Sequence, residues 1–163
     1  MFEFGTCTGK TTFLLAANAP NAEITTLTLH PDELVSYETE LGDDISAVNA
    51  AKQVSAFASF LYEGTAEAER INQLFGDSKA FDHTPYKGKM DLVFVDGSHA
   101  QSYVGSDSKK ALEMVKPGGV IVWDDYRGPR RAKDVFSVLN NLSKEIELVR
   151  IANISFVAHR APK

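Results

Sequence analysis

Short apolar runs alternate with amphipathic stretches along the chain, and this alternation predicts a parallel β-sheet with helices packed on both faces. Phe2-Glu3-Phe4 reads as a first strand, and Lys10–Asn18 as a helix that stops at Asn18-Ala19-Pro20. Ile24–Leu29 reads as a second strand. Pro31–Leu41 has the marks of a second helix: Pro31 in its first turn, Asp32 and Glu33 suited to the positive end of the dipole, and Gly42 to close it. From Asp43 to Ala68 a mixture of Ala, Ser and Phe shows no clear period and is expected to be helical only in part. Strands are expected again at Arg70–Phe75 and at Asp91–Asp96, the latter an apolar run of the kind a buried parallel strand requires. A helix over Ser106–Lys116, a tight turn at Lys116-Pro117-Gly118-Gly119 and a strand over Val120–Trp123 follow, and the last helix is placed at Arg131–Leu142. Glu145–Ile151 and Ser155–Arg160, with Ala152-Asn153 between them, have hairpin spacing, so the sheet should finish with an antiparallel strand.

Length and composition narrow the setting. At 163 residues, without repeats, low-complexity tracts or linkers, residues 1–163 read as a single domain. No apolar run approaches the roughly 20 residues of a membrane helix, which argues against a membrane partner. A net charge of −5 argues against a broad nucleic-acid surface, which relies on clustered Lys and Arg. Cys7 is the single cysteine, so no internal disulfide can form, and with no leader pattern a cytoplasmic location is the expectation. Only Met1 and Phe2 precede Glu3, whereas strands usually run for about five or six residues. An amino-terminal segment is therefore expected to be missing.

The candidate chemistry lies where strands end. The first strand runs into Gly5-Thr6-Cys7-Thr8-Gly9, a loop whose glycines let backbone approach a ligand and which leads into a helix N-terminus. Asp96 ends the fourth strand, and Asp124 and Asp125 end the fifth. Open parallel sheets bind ligands at this edge, beside the point where strand order reverses, so the three sites should converge.

This combination resembles the class I S-adenosylmethionine-dependent methyltransferases, in particular the small catechol-O-methyltransferase-like branch and its bacterial relatives. The resemblance rests on Glu3-Phe-Gly5-Thr-Cys-Thr-Gly9, Gly76-Asp77-Ser78, Asp91-Leu-Val-Phe-Val-Asp96-Gly97-Ser98-His99 and Lys116-Pro-Gly-Gly119, in that order, and covers Phe2 to about His159. It implies an α/β, Rossmann-like doubly wound, mostly parallel seven-stranded sheet with an antiparallel last strand, here without the amino-terminal helices that cover the substrate in this fold. It further implies S-adenosylmethionine as cofactor and transfer of its methyl group to a hydroxyl of a small-molecule acceptor. Glu3, Gly5, Thr6, Gly9 and Asp96 would hold the cofactor, with Asp77 and Ser78 beside its adenine; an ordinary strand-to-helix turn and a helix cap are the plain alternatives.

Thr28 stands where this family usually has a ribose-binding carboxylate, and a hydroxyl brings no charge, so cofactor affinity is expected to suffer. Asp32 can substitute only by reaching in from what reads as the first turn of a helix. The resemblance also implies a divalent cation, Mg²⁺ for preference, on Asp96, Asp124 and Asp125, since gathered carboxylates repel one another and hard oxygen donors suit it. The alternative is that Asp124 and Asp125 merely cap the loop into Tyr126-Arg127-Gly128-Pro129, with Arg127 or Arg130 pairing them. His99, just past the fourth strand, is the candidate proton acceptor beside a catalytic Asp96. Cys7 reads as a small packed residue. Tyr86, Trp123, Tyr126 and Phe136 are either acceptor-pocket or core aromatics.

Two rival functions remain open on sequence grounds. Gly5–Thr11 is also similar to a phosphate-binding P-loop, but it has three residues between its glycines where that loop needs four. The other rival is a non-catalytic or truncated cofactor-binding relative. Missing helices would expose apolar sheet surface and favour a homo-oligomer.

Overall fold

The computed structural model of the chain describes residues 1–55 and 57–163, with the side chains of residues 34–36 and 54 left aside. Seven strands form one sheet in the order β3-β2-β1-β4-β5-β7-β6: β1 (Phe2–Phe4), β2 (Ile24–Thr28), β3 (Ile71–Phe75), β4 (Met90–Val95), β5 (Val115–Trp123), β6 (Val149–Arg150) and β7 (Val157–Arg160). β1 to β5 pair in parallel, and β7 runs antiparallel to both β5 and β6. The chain steps from β1 outward through β2 to β3, then returns to β4 on the other side of β1, so strand order reverses between β1 and β4.

Four α-helices accompany the sheet: α1 (Lys10–Asn18), α2 (Ile45–Val54), α3 (Gln101–Met114) and α4 (Lys133–Leu142). α1 links β1 to β2 and α3 links β4 to β5, steps in opposite directions. Right-handed crossovers therefore place them on opposite faces. On the α3 face Phe2, Phe4, Val93, Val95, Met114, Ile121 and Trp123 form the main core, with Leu139 of α4. Phe2 also meets Phe81 and Tyr86, with ring centroids 5.5 and 5.1 Å away.

Several boundaries differ from the sequence reading. The expected helix over Pro31–Leu41 is a 3₁₀ segment, Pro31–Ser36, and the regular helix of this connection is α2, inside the stretch that showed no clear period. α2 starts at an N-cap, Asp44, whose side chain accepts from Ser46 N–H. α3 begins at Gln101, five residues before the expected Ser106, because Ala100, Tyr103 and Val104 are buried and extend its apolar face. β5 spans the Pro-Gly-Gly turn. Gly118 takes a positive φ of 76° there, and a Cβ on Gly119 would stand 2.9 Å from the Met90 carbonyl oxygen. Of the expected penultimate strand only Val149–Arg150 pairs. No helix among the described residues is long and apolar enough to cross a membrane.

Candidate active site

The exits of β1, β2, β3 and β4 are stitched together by backbone hydrogen bonds. Gly5 N–H donates to the Leu27 carbonyl at 2.8 Å, Gly76 N–H to Thr28 at 3.0 Å and Asp96 N–H to Phe4 at 2.9 Å. A crevice open to solvent lies above them. Gly5, Thr28, Asp77, Ser78 and Asp96 line it, as expected of a ligand edge, together with Cys7, Leu29, Tyr37, Ser98, Tyr103 and Asp107.

Gly5 has φ +99°, and a Cβ on it would fall 2.1 Å from the Asp96 carbonyl oxygen. Its missing side chain thus brings the β1 loop against the β4 exit. Gly9 has φ +77°, and the Tyr62 ring would lie 2.8 Å from a Cβ there. Gly9 caps α1, and its N–H donates to the Thr6 carbonyl at 2.7 Å, closing the loop on itself.

Beneath this loop lies a buried polar network. Glu3, fully buried, accepts on Oε2 from the Thr12 hydroxyl of α1 at 2.5 Å and from the Thr26 hydroxyl of β2 at 2.6 Å. Thr26 and Thr6 share a hydrogen bond at 2.8 Å, Gln73 Nε2 donates to Thr6 at 3.2 Å, and the Tyr62 hydroxyl donates to Gln73 at 2.5 Å. Burial pushes the Glu3 carboxyl up to about 7, against the two threonine hydroxyls, which favour the anion. Glu3, Thr6 and Gly9 therefore shape the loop from below, whereas Gly5 lines the crevice itself.

At the far end of the crevice Asp77 accepts from Lys79 N–H on Oδ1 and from the Tyr103 hydroxyl on Oδ2, at 2.8 and 2.9 Å. Tyr103 stacks on Tyr37, centroids 4.4 Å apart, and the Tyr37 hydroxyl meets Ser98. Asp32 stays out: its side chain is 90% exposed and lies 3.6 Å from His30 Nδ1.

Around the β4 and β5 exits, ligating atoms of Asp96, His99 and Asp125 all lie within 4.8 Å of one another. His99 Nε2 stands 2.5 Å from Asp125 Oδ2, and Arg127 Nη2 stands 2.6 Å from Asp125 Oδ1. Asp125 sits at φ +60°, a backbone conformation that aims its carboxyl back at His99. Asp124 Oδ1 instead accepts from Asp125 N–H at 2.5 Å and from the Ser155 hydroxyl. Burial, and then the charges of Asp124 and Asp125, push the Asp96 carboxyl up to about 8. The hydrogen bond that His99 donates to Asp125 raises His99 above its ordinary value against the desolvation that would lower it. Burial would raise Asp125, but His99 and Arg127 outweigh it and hold this carboxyl below its usual range.

Residues 2–126 match the family described as "Methyltransferase domain". The chain belongs to this methyltransferase family. Its fold is the Rossmann-like class I fold. NovP, an O-methyltransferase, superposes on all of the chain and 72% of its own length with a TM-score of 0.73 at 16% identity. The O-methyltransferase TomG from Streptomyces achromogenes, solved in complex with S-adenosylmethionine, covers 99% of this chain and 72% of its own with a TM-score of 0.61 at 16% identity. In sequence, "Uncharacterized protein R132" of Acanthamoeba polyphaga mimivirus is 30% identical over 67 residues, 41% of this chain and 30% of that protein's length.

The sequence reading set Glu3, Gly5, Thr6, Gly9, Thr28, Asp77, Ser78 and Asp96 around the cofactor; Gly5, Thr28, Asp77, Ser78 and Asp96 line one crevice, whereas Glu3, Thr6 and Gly9 do not line it. It set Asp96, Asp124 and Asp125 together as a cluster; the fold adds His99 to that corner and turns Asp124 Oδ1 towards Ser155. The expected alternative, Arg127 pairing with Asp125, occurs alongside. Cys7, read as a packed residue, lines the crevice with φ +48°. None of Tyr86, Trp123, Tyr126 or Phe136 lines it: Trp123 is core, and Tyr126 stacks on Phe136 with centroids 5.2 Å apart. Tyr37, Tyr103 and Asp107 were missed. Tyr103, Asp107 and Lys110 share a face of α3 with Val104, Ala111 and Met114, and charged groups on that otherwise apolar stripe were the available signal.

Proposed function

We propose that this chain transfers the methyl group of S-adenosylmethionine to a hydroxyl of a small molecule, assisted by a divalent cation such as Mg²⁺ on Asp96 and Asp125 with Asp124 beside them. One observation carries the reading: Asp96, which lines the crevice, also stands in the cluster with His99 and Asp125, so a bound methyl donor and a proton-handling site adjoin. The donor set fits a hard cation. Asp96 is destabilised as an anion by its burial and by two neighbouring carboxylates, and positive charge at that point relieves it.

A cation held by Asp96 and Asp125 would supply Lewis-acid activation of the acceptor hydroxyl, and the donor would supply an electrophilic methyl group. The chain's own residues do the rest. The Gly5 turn and Ser78 orient the donor. Asp125 holds the His99 ring through Nε2 and stabilises the imidazolium formed when His99 takes the acceptor's proton. The methyltransferase match over most of the chain supports this reading over the P-loop alternative.

Titration calorimetry with S-adenosylmethionine and S-adenosylhomocysteine, with and without Mg²⁺, paired with methyl transfer from labelled donor to hydroxylated acceptors, tests it. The expected result is binding of both nucleosides and Mg²⁺-dependent transfer that Asp96→Ala loses. Absence of heat in every condition overturns the reading in favour of an inert relative. Unchanged Mg²⁺-dependent turnover in Asp96→Ala overturns the role of the cluster.

A further inference from the structure

Asp107 is a buried ionisable group that the reading above leaves unused. It lies on the inward face of α3, 1% exposed, and neither of its carboxylate oxygens has a hydrogen-bond partner among the described residues. The nearby donors are committed elsewhere. Lys110 gives its ammonium to the carbonyl oxygens of Ser78, Lys79 and Phe81. The Tyr103 hydroxyl donates to Asp77, and the Trp123 indole to Ser108. The Ser78 hydroxyl, which lines the same crevice, is close enough to favour the anion.

A carboxyl that has lost its water without gaining a partner is unfavourable, and native proteins rarely keep one unless a ligand completes it. Asp107 is open to such a ligand, because it lines the crevice beside Ser78 and Gly97. Its Oδ2 is 3.4 Å from where a Cβ on Gly97 would stand, which puts the carboxyl at the floor between the β3 and β4 exits. Asp77, the acidic residue that the sequence offers for the cofactor's base, already accepts on both oxygens. Asp107 has its acceptors free.

We propose that Asp107 reads the base of the methyl donor: its carboxylate accepts from the exocyclic amine of the purine and so selects an aminopurine nucleoside over one that lacks this amine. The proposal rests on the methyl-donor reading above.

The test compares the affinity of S-adenosylhomocysteine with that of its purine analogue without the exocyclic amine, in wild type, Asp107→Leu, Asp107→Asn and Asp77→Asn. A hydrogen bond to a charged acceptor predicts a wild-type preference of roughly 10- to 100-fold for the amino compound. Asp107→Leu should bring that ratio close to one. Asp107→Asn, which keeps the shape and a neutral acceptor and so guards against a folding defect in the leucine variant, should lower it several-fold. Asp77→Asn should leave it at the wild-type level. Equal affinity of wild type for the two ligands overturns the proposal, as does a preference that survives in both Asp107 variants or vanishes in Asp77→Asn alone. Wild type that binds neither ligand overturns the methyl-donor reading itself, whereas binding of S-adenosylhomocysteine without base preference overturns only the role of Asp107.

Discussion

Gly5 shows how much one residue can settle. Its φ of +99° is hostile to L side chains, and the space for a Cβ is taken by the Asp96 carbonyl, which cannot move without parting β1 from β4. Gly5→Ala should therefore destabilise the fold by about 3 kcal/mol or more, read from urea unfolding followed by circular dichroism. Glu3 supplies a pH signature. Its folded value of about 7 lies above the ordinary 4.5, so between those pH values the native state holds a proton that the unfolded chain has released. Stability then falls as pH rises through that interval and levels off above it. Glu3→Gln, neutral throughout, should melt at a temperature that gains on wild type as pH increases from 4.5 to about 7, and a constant difference would contradict the buried-acid account. Thr28, 8% exposed at the end of β2, lines the crevice where a ribose-binding carboxylate is expected. Thr28→Asp should tighten S-adenosylhomocysteine binding by roughly tenfold, the effect of one charge-assisted hydrogen bond, in a calorimetric titration.

Among the elements, β1, α1 and β4 were legible because their apolar runs or helical periods are strong and bounded by Gly, Pro or carboxylate signals. α2 was not. Its ten residues are mostly small and polar, and its position depends on distant partners: Asp134 Oδ2 accepts from Asp44 N–H at 2.8 Å and from Gln101 N–H at 3.1 Å. One buried side chain at the start of α4 thereby ties the first turns of α2 and α3, a link that nothing local in the sequence announces. Asp134→Ala should cost about 1–3 kcal/mol and speed amide exchange at Asp44 and Gln101 specifically, measured by hydrogen–deuterium exchange. The 3₁₀ outcome at Pro31–Ser36 has a similar cause, since a propensity signal of a few tenths of a kcal/mol per residue yields to the path the chain must take.

For the molecule as a whole, the crevice is a product of topology. Residues from Gly5 to Asp107 meet only because strand order reverses between β1 and β4. If a nucleoside fills this crevice and completes Asp107, S-adenosylhomocysteine at about 100 times its Kd should stabilise the fold by roughly 2.7 kcal/mol, an upward shift of about 5–10 °C in Tm by scanning calorimetry. The glycine loop, the acidic strand ends and the alternation of apolar and amphipathic segments were readable directly, because each depends on neighbours within a few positions of the chain. Those local rules were enough for a parallel sheet with helices on both faces, for the edge at which a ligand should bind and for Gly5, Thr28, Asp77, Ser78 and Asp96 among the residues lining it. Partner choice among buried polar groups was beyond them. That Asp125 faces His99 while Asp124 turns to Ser155, that Asp77 is satisfied and Asp107 is not, depends on donors supplied from other strands and helices, and the free energy of a buried carboxyl is set by which of those donors packing brings within reach.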